Sequence, residues 1–184
     1  MTIELTGQQV TDRIRAIVPG ARPESVGKNV FLAADQLVEV CTALRDDPEL
    51  RMQYLVGVTA VDYRDYFEVV YHVQSLAKNH LAVLKVRIEE RDEPEIPSVV
   101  PVWYGAHLQE REVYDLFGIR FAGHPDLRRI FLWEGFAGYP LRKDFLQIAG
   151  GAQHPGLPHF PKQEQGYGVL TGPNWTAPEP PRQS

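Results

Sequence analysis

The sequence predicts an α+β fold, a two-layer sandwich in which two helices cover one face of a mainly antiparallel sheet. Two amphipathic helical patterns, a hairpin pattern between them and three valine-rich strand patterns after them lead to this prediction. The predicted order is therefore helix, two strands, helix, three strands. Because a sheet buries at least one face and a helix buries one stripe, this order predicts two packed layers.

The first helix is predicted at residues 6–18, where apolar side chains recur at helical spacing until Pro19-Gly20 ends the pattern. Two short strand patterns follow at residues 22–26 and 30–32. The segment between them, Gly27-Lys28-Asn29, is typical of a tight turn. The two strands therefore predict a small hairpin.

The second helix is predicted from the apolar stripe between Leu37 and Leu44, with Asp35 as its N-cap and Asp47-Pro48 at its end. Three longer runs follow, rich in β-branched and aromatic residues and separated by polar turn residues. They occupy residues 52–62, 66–75 and 80–89. These runs predict an antiparallel meander.

Three regions are predicted along the chain. Residues 1–96 form the sandwich domain, and residues 97–146 add a further helix, closed by Gly118, and a loop region packed on that domain. Residues 147–184 form an extended arm or a tail, because residues 151–184 hold seven prolines and five glycines.

The composition excludes several classes of protein. The chain has 184 residues, a formal net charge of −5 and one cysteine, Cys41, whose place on an apolar helix face predicts an inert core thiol. An acidic chain lacks the positive footprint of a nucleic-acid-binding protein, and one cysteine allows neither an internal disulfide nor a thiolate-held metal cluster. No apolar run reaches the roughly 20 residues of a membrane-spanning helix, and the first residues resemble no leader peptide. We therefore expect a cytoplasmic chain that contacts a membrane only indirectly.

Charged residues concentrate in residues 110–145, which we call the signature region. On a helical wheel, Glu110 falls on the apolar stripe of Trp103, Ala106, Val113 and Phe117. A carboxylate on such a stripe is costly unless a cation or several hydrogen-bond donors meet it, so we expect one or the other at Glu110. The candidate partners are Arg128, Arg129, Arg142 and Lys143.

Arg111 and Asp115 lie four residues apart, a spacing at which opposite charges meet on one flank of a helix, so we predict that they pair. Two interpretations of the charges in the signature region stay open. They form a structural ion network that fixes the helix against the following loop, or some of them reach a partner protein.

Catalytic and metal-binding interpretations are weaker. Glu110 and Glu112 point about 200° apart on a helix, so they cannot flank one bond as the two carboxyl groups of a glycosidase do. His124, His154 and His159 have no cysteine or carboxylate at a recognised metal-ligand spacing. Turn roles are favoured for these histidines.

The strings EREVYDLFGIRFAGHPDLRRI and PLRKDF in the signature region resemble the signature of the 30 kDa subunit family of respiratory complex I. Tyr139 stands where histidine is common in that family. The resemblance implies a structural subunit in the peripheral arm of NADH:quinone oxidoreductase. That complex passes electrons from NADH through FMN and iron–sulfur clusters to quinone and translocates protons. The resemblance implies no flavin, cluster or quinone site in this chain itself.

The partners implied by the resemblance are the large subunit of the 49 kDa type, which helps form the quinone cavity, and the iron–sulfur subunits. The implied location is peripheral, at the cytoplasmic face of the bacterial membrane. Residues that match the signature would shape the docking surface, and none of them is expected to be catalytic. They are Glu110, Arg111, Glu112, Asp115, His124, Arg128, Arg142, Lys143 and Asp144.

Two alternatives stay open. The family also occurs in relatives driven by ferredoxin, coenzyme F420 or formate, so the electron donor does not follow from the sequence. A protein of a different class, a stand-alone soluble enzyme, would use Glu110 or Asp115 as its general acid or base.

Overall fold

The computed structural model of the chain describes residues 2–145. Its α-helices are α1 (Gly7–Ile17), α2 (Leu37–Asp46) and α3 (Ala106–Phe117). Its strands are β1 (Ile3–Glu4), β2 (Glu24–Val26), β3 (Asn29–Leu32), β4 (Tyr54–Asp62), β5 (Phe67–Ser75), β6 (His80–Ile88), β7 (Glu95–Pro97) and β8 (Arg120–Ala122). The predicted order of helix, two strands, helix, three strands is confirmed. The short strands β1, β7 and β8 were not predicted, and the predicted arm at residues 147–184 lies outside the described residues.

The main sheet has six strands. Strands β4, β5 and β6 pair antiparallel, which confirms the predicted meander, and the β2–β3 hairpin extends the sheet in the order β2-β3-β6-β5-β4. Two of its pairings are parallel, those of β1 and β3 with β6. The two strands lie end to end along the same edge of β6. Strands β7 and β8 form a separate parallel pair. The sheet is thus mainly antiparallel, as predicted, with a parallel edge.

One face of the sheet carries the core. Phe67, Val69, Tyr71 and Val73 of β5 alternate along the strand and are each 0% exposed. Their cross-strand partners on β4 and β6 lie on the same face, since facing residues of paired strands share a face. The apolar residues of all three helices join this face in a single cluster. The two predicted layers are therefore present, and α3 belongs to the helical layer.

The N-terminal ends of α1 and α2 differ: the cap of α1 was not predicted from the sequence, and the cap predicted for α2 is wrong. Thr6 caps α1 and exchanges hydrogen bonds with Gln9, which is a capping box. Asp35 does not cap α2, because a 3-10 turn (Ala34–Gln36) precedes the helix and Gln36 takes the cap position without a side-chain cap bond. Within residues 2–145, no helix combines the length and the apolar character needed to cross a bilayer.

Helix α3 ends at Gly118, as predicted, and that glycine brings the end of the signature region onto the helix. Gly118 has a φ of 72°, the left-handed conformation of a helix C-cap. An added Cβ would overlap the ring of Tyr139. The position therefore needs glycine for both its backbone conformation and its close contact with Tyr139.

We expect Gly118→Ala to destabilise the chain by more than the roughly 1–2 kcal/mol that the left-handed conformation alone costs an L-residue, because the new methyl group also displaces Tyr139. Thermal denaturation of the isolated chain measures the loss. Gly105→Ala is the matched control, since Gly105 has a φ of −60° and an added Cβ there meets nothing within 4 Å. Equal stability of the two variants would contradict the assignment.

Candidate functional site

Glu110 is buried at the junction between α3 and the segment after β7. It is 0% exposed and lies on the predicted stripe, beside the buried Ala106 and Val113. One carboxyl oxygen accepts the Ser98 hydroxyl hydrogen at 2.6 Å, and the other accepts the backbone N–H of Val99 at 2.7 Å. The predicted burial is therefore correct. These two bonds fix the chain segment that precedes α3 to the helix.

Of the two alternatives for Glu110, the structure shows hydrogen-bond donors and none of the four candidate cations. Among residues 2–145, none of the basic side chains makes an ion pair or hydrogen bond with this carboxyl group. Burial raises the pKa of Glu110 to about 7, and the bonds from Ser98 and Val99 only partly offset this effect. The buried carboxyl group of Glu110 therefore retains its proton up to nearly neutral pH.

Asp115 holds the loop that follows β8. It is 0% exposed, and one of its oxygens accepts the N–H groups of Ile130, Phe131 and Leu132 at 3.0, 2.7 and 3.0 Å. Arg129 donates to the other oxygen at 3.2 Å. Burial opposes ionisation of Asp115, but the three N–H bonds and the guanidinium outweigh it and hold its pKa below the ordinary value. Three consecutive backbone donors on one carboxylate fix the loop conformation.

The predicted pair of Arg111 and Asp115 is wrong. Arg111 instead donates to the carbonyl oxygens of Arg128 and Arg129, at 3.0 and 3.3 Å, and lies 3.9 Å from Asp126. Both residues bind the same loop. Arg111 donates to two carbonyl groups of the loop, and Asp115 accepts three of the loop's N–H groups. The interpretation of a structural network that fixes the helix against the following loop is therefore correct, although its pairs differ from the predicted ones.

A third buried carboxylate, Asp62, was not predicted from the sequence. It stands at the end of β4, is 3% exposed and receives both terminal nitrogens of Arg91, at 2.7 and 3.2 Å. It also accepts the backbone N–H groups of Arg64 at 2.7 Å and Lys143 at 2.9 Å. Burial opposes its ionisation, but these donors prevail and lower the pKa of Asp62 to about 2. This carboxylate ties the end of the signature region to the sheet.

Guanidinium groups and aromatic rings alternate between Asp115 and Asp62. Arg142 lies at the centre of this stack, 4.8 Å from the Tyr139 ring centroid and 5.0 Å from that of Phe67. Arg129 lies 5.2 Å from the Tyr139 centroid, and Arg91 lies 4.5 Å from that of Phe67. Each contact is a cation–π interaction. The stack joins the loop held by Asp115 to the segment held by Asp62.

Arg142 binds carbonyl groups rather than a carboxylate. It donates to the carbonyl oxygens of Phe117 at 2.6 Å and Arg91 at 3.2 Å. Burial lowers its pKa, which the nearby carboxylate of Asp144 only partly offsets. Because the last carbonyl groups of a helix lack intrahelical partners, the bond to Phe117 also satisfies the C-terminus of α3.

His124 links the loop after β8 to α3 by hydrogen bonds at both of its ring nitrogens. Its Nε2 lies 2.9 Å from the carbonyl oxygen of His107, and its Nδ1 lies 3.0 Å from the backbone nitrogen of Asp126. This pattern fits a neutral ring that donates from Nε2 and accepts at Nδ1. Burial is the main cause of its lowered pKa. Within residues 2–145, no group of three potential ligands could hold a metal ion; His154 and His159 lie outside that range.

The nine residues expected at the docking surface divide into two sets. Glu110, Arg111, Asp115, His124 and Arg142 are buried or partly buried and bind other parts of the chain, so they shape the region from within. Glu112, Arg128, Lys143 and Asp144 are exposed. Large apolar side chains of the signature region are also exposed, among them Phe131 at 64% and Trp133 at 51%.

The chain is similar to subunits of respiratory complexes. The family described as "Respiratory-chain NADH dehydrogenase, 30 Kd subunit" matches residues 30–149. A subunit of the NADH-quinone oxidoreductase of Roseiflexus castenholzii is 44% identical over 147 residues, which cover 76% of this chain and 84% of that protein. The corresponding NADH-quinone oxidoreductase subunit of Caulobacter vibrioides is 46% identical, over 78% of this chain and 73% of that protein.

A further relative and a solved structure extend the comparison. A subunit of the NADH-quinone oxidoreductase of Rhizobium etli is 46% identical over 123 residues, and the match spans only 65% of that protein. Among solved structures, a chain of the membrane-bound sulfane sulfur reductase, an archaeal respiratory membrane complex, matches with a TM-score of 0.63 and 25% identity. The match covers 78% of this chain and 87% of that one.

We expect Glu110→Gln to fold and to be at least as stable as the wild type at pH 8. The folded-state pKa of about 7 exceeds the ordinary 4.5, so the folded wild type retains a proton that the unfolded chain releases. Its stability is therefore full below pH 4.5 and falls as the pH rises through 7, by on the order of 1–3 kcal/mol. Glutamine resembles the protonated acid and removes this dependence.

Denaturant unfolding of the isolated chain at pH 5 and pH 8 measures the effect of Glu110→Gln. Glu112→Gln is the control, because Glu112 is exposed on the same helix. A Glu110→Gln variant that loses stability at pH 8 would show that the ionised carboxylate is the form that the fold requires.

We expect Asp115→Asn to destabilise the chain by on the order of 3 kcal/mol, because it leaves Arg129 without its buried anion and weakens three N–H bonds. Asp126→Asn is the control; its side chain is 44% exposed and pairs with the exposed Arg128, so the loss there is expected to stay below about 1 kcal/mol. Unfolding free energies at pH 7 separate the two variants. Similar losses would refute the role of Asp115.

Proposed function

This chain belongs to the 30 kDa subunit family of respiratory-chain NADH dehydrogenase, and we propose that it is a structural subunit in the peripheral arm of such a complex. In this proposal its partners carry electrons from NADH through FMN and iron–sulfur clusters to quinone, coupled to proton translocation. The chain itself holds its neighbours in place.

The observation that carries this proposal is that buried carboxyl groups in the signature region, and Asp62 bound to it, are used inside the chain. Asp62, Glu110 and Asp115 are at most 3% exposed, and each accepts backbone N–H groups of segments that lack regular structure. A general acid or base must reach its substrate directly or through one water. The burial of Glu110 and Asp115 therefore argues against the alternative of a stand-alone acid/base enzyme.

The exposed side chains of the same region support a docking role. Phe131 and Trp133 project from the loop whose backbone Asp115 holds, so they lose little freedom when a partner covers them. Large aromatic residues are also enriched among the side chains that dominate binding energy. We assign this surface to contact with the large quinone-site subunit of the 49 kDa type and the iron–sulfur subunits.

The cofactors, the location and the C-terminal arm complete the proposal. The chain contains one cysteine, which is too few for a cluster of its own, so the FMN and clusters are assigned to the partner subunits. The location follows from that assembly: a peripheral position at the cytoplasmic face of the bacterial membrane, held through other subunits. The arm predicted at residues 147–184 is assigned the same role of contacting a neighbour.

A second candidate is the same structural role with another electron donor. The observation that favours it is the structural similarity to a chain of an archaeal sulfane sulfur reductase. The name of that complex gives no electron donor, so the donors implied by the family resemblance, ferredoxin, coenzyme F420 and formate, are tested beside NADH.

The test is isolation of the affinity-tagged chain from the membranes of its natural host. We expect it to bring with it flavin, iron and an activity that reduces quinone with NADH, whereas the recombinant chain alone binds neither flavin nor iron. Supplying the other three donors in turn identifies a different donor. Stoichiometric flavin or iron in the recombinant chain, or isolation of the tagged chain alone, would overturn the proposal.

A further inference from the structure

A small cationic cavity lies beside the end of β4. It has a volume of about 210 Å³ and is lined by Arg64, Arg91, Lys143 and Asp144. Arg64 and Lys143 are exposed, and neither side chain forms a hydrogen bond or ion pair with another described residue. Two cations without a partner among residues 2–145 therefore meet at this cavity, in a chain whose net charge is −5.

One buried carboxylate, Asp62, positions all three cationic residues of the cavity. Its Oδ1 accepts the N–H of Arg64 and its Oδ2 accepts the N–H of Lys143, while Arg91 bonds to both oxygens through its side chain. The cavity is thus held together by contacts inside the chain. The backbone of the site is therefore fixed before a ligand binds, and only the side chains of Arg64 and Lys143 are ordered on binding.

The charge of the cavity matches one carboxylate. The cations are Arg64, Arg91 and Lys143, and the carboxylates beside them are Asp62 behind the cavity and Asp144 at its rim, so one positive charge is left. Asp65 lies near Arg91 but does not line the cavity. A singly charged ligand would neutralise the site, whereas a phosphate dianion would leave it negative. Arg64 has a φ of 71°, the left-handed conformation of a turn residue, in the turn between β4 and β5.

We propose that Arg64, Arg91 and Lys143 form the acceptor site for an Asp or Glu side chain of a neighbouring protein subunit. This inference rests on the proposed function, because it assumes that the chain docks on other proteins. The two free cations contact the incoming carboxylate, and Arg91, already bonded to Asp62, lies behind them. The site adds a specific electrostatic contact to the apolar surface at Phe131 and Trp133.

The first experiment reverses the two free charges. We expect the double variant Arg64→Glu/Lys143→Glu to keep the wild-type melting temperature, since both backbone N–H bonds to Asp62 remain, but to assemble about tenfold or more weakly with its neighbours. The control is Arg51→Glu/Lys78→Glu, because Arg51 is an exposed arginine with a φ of 49° and Lys78 is an exposed turn lysine. Co-purification of the tagged chains at low and high salt measures assembly.

The second experiment identifies the acid. A zero-length carbodiimide joins an amine to a carboxylate in direct contact, so treatment of the intact complex is expected to link Lys143 to an acidic residue of one neighbouring subunit. Lys143→Arg keeps the charge, and is expected to preserve assembly while removing the link. Peptide mass spectrometry locates the two linked residues.

The outcomes separate this inference from the proposed function. If the wild-type chain isolates without any respiratory assembly, both fail. If the wild type assembles, the double variant assembles equally well and the carbodiimide forms no link at Lys143 of the wild-type complex, only this inference fails. A double variant that assembles normally but no longer binds vesicles containing anionic phospholipid would assign the cavity to a lipid phosphate and overturn the protein carboxylate.

Discussion

The signature region depends on carboxylates that are buried and satisfied by backbone N–H groups. A carboxylate in the interior is costly without donors, and an N–H group of an irregular segment is costly without an acceptor. Glu110 and Asp115 on α3 and Asp62 on β4 meet both requirements at once, because each receives N–H groups of segments outside the helices and main strands. The loops around α3 therefore have a fixed shape without much regular structure.

The three carboxyl groups differ in the charge they keep. Asp62 and Asp115 each have a guanidinium partner and a lowered pKa, whereas Glu110 has none and its pKa rises to about 7. The ionised pair anchors the two ends of the stack that runs through Tyr139, Arg142 and Phe67. Interior charge thus sets the shape of the region, and the exposed apolar and cationic side chains are left for contact with a partner.

Local patterns in the sequence predicted most of the fold. Helical spacing predicted α1 and α2, and strand patterns predicted the meander, since both depend on neighbouring residues. The helical wheel also predicted the burial of Glu110. It did not predict which groups donate to Glu110, because Ser98 and Val99 lie outside the helix, 12 and 11 residues away. Asp62 was missed because its contact with Lys143 joins residues 81 positions apart. The parallel pairings of β3 with β6 and of β7 with β8 were missed for the same reason, since short strands carry a weak pattern and their partners are distant.

The central claim is that these carboxylates fix the signature region within the chain itself, before any partner binds. Amide hydrogen exchange of the isolated chain, followed by NMR, tests it at the three N–H groups that share one oxygen of Asp115. The account expects slow exchange at Ile130, Phe131 and Leu132 in the wild type and fast exchange in Asp115→Asn. Exchange at the unprotected rate in the isolated wild-type chain would show that the loop acquires its conformation only from a partner, and would contradict the account.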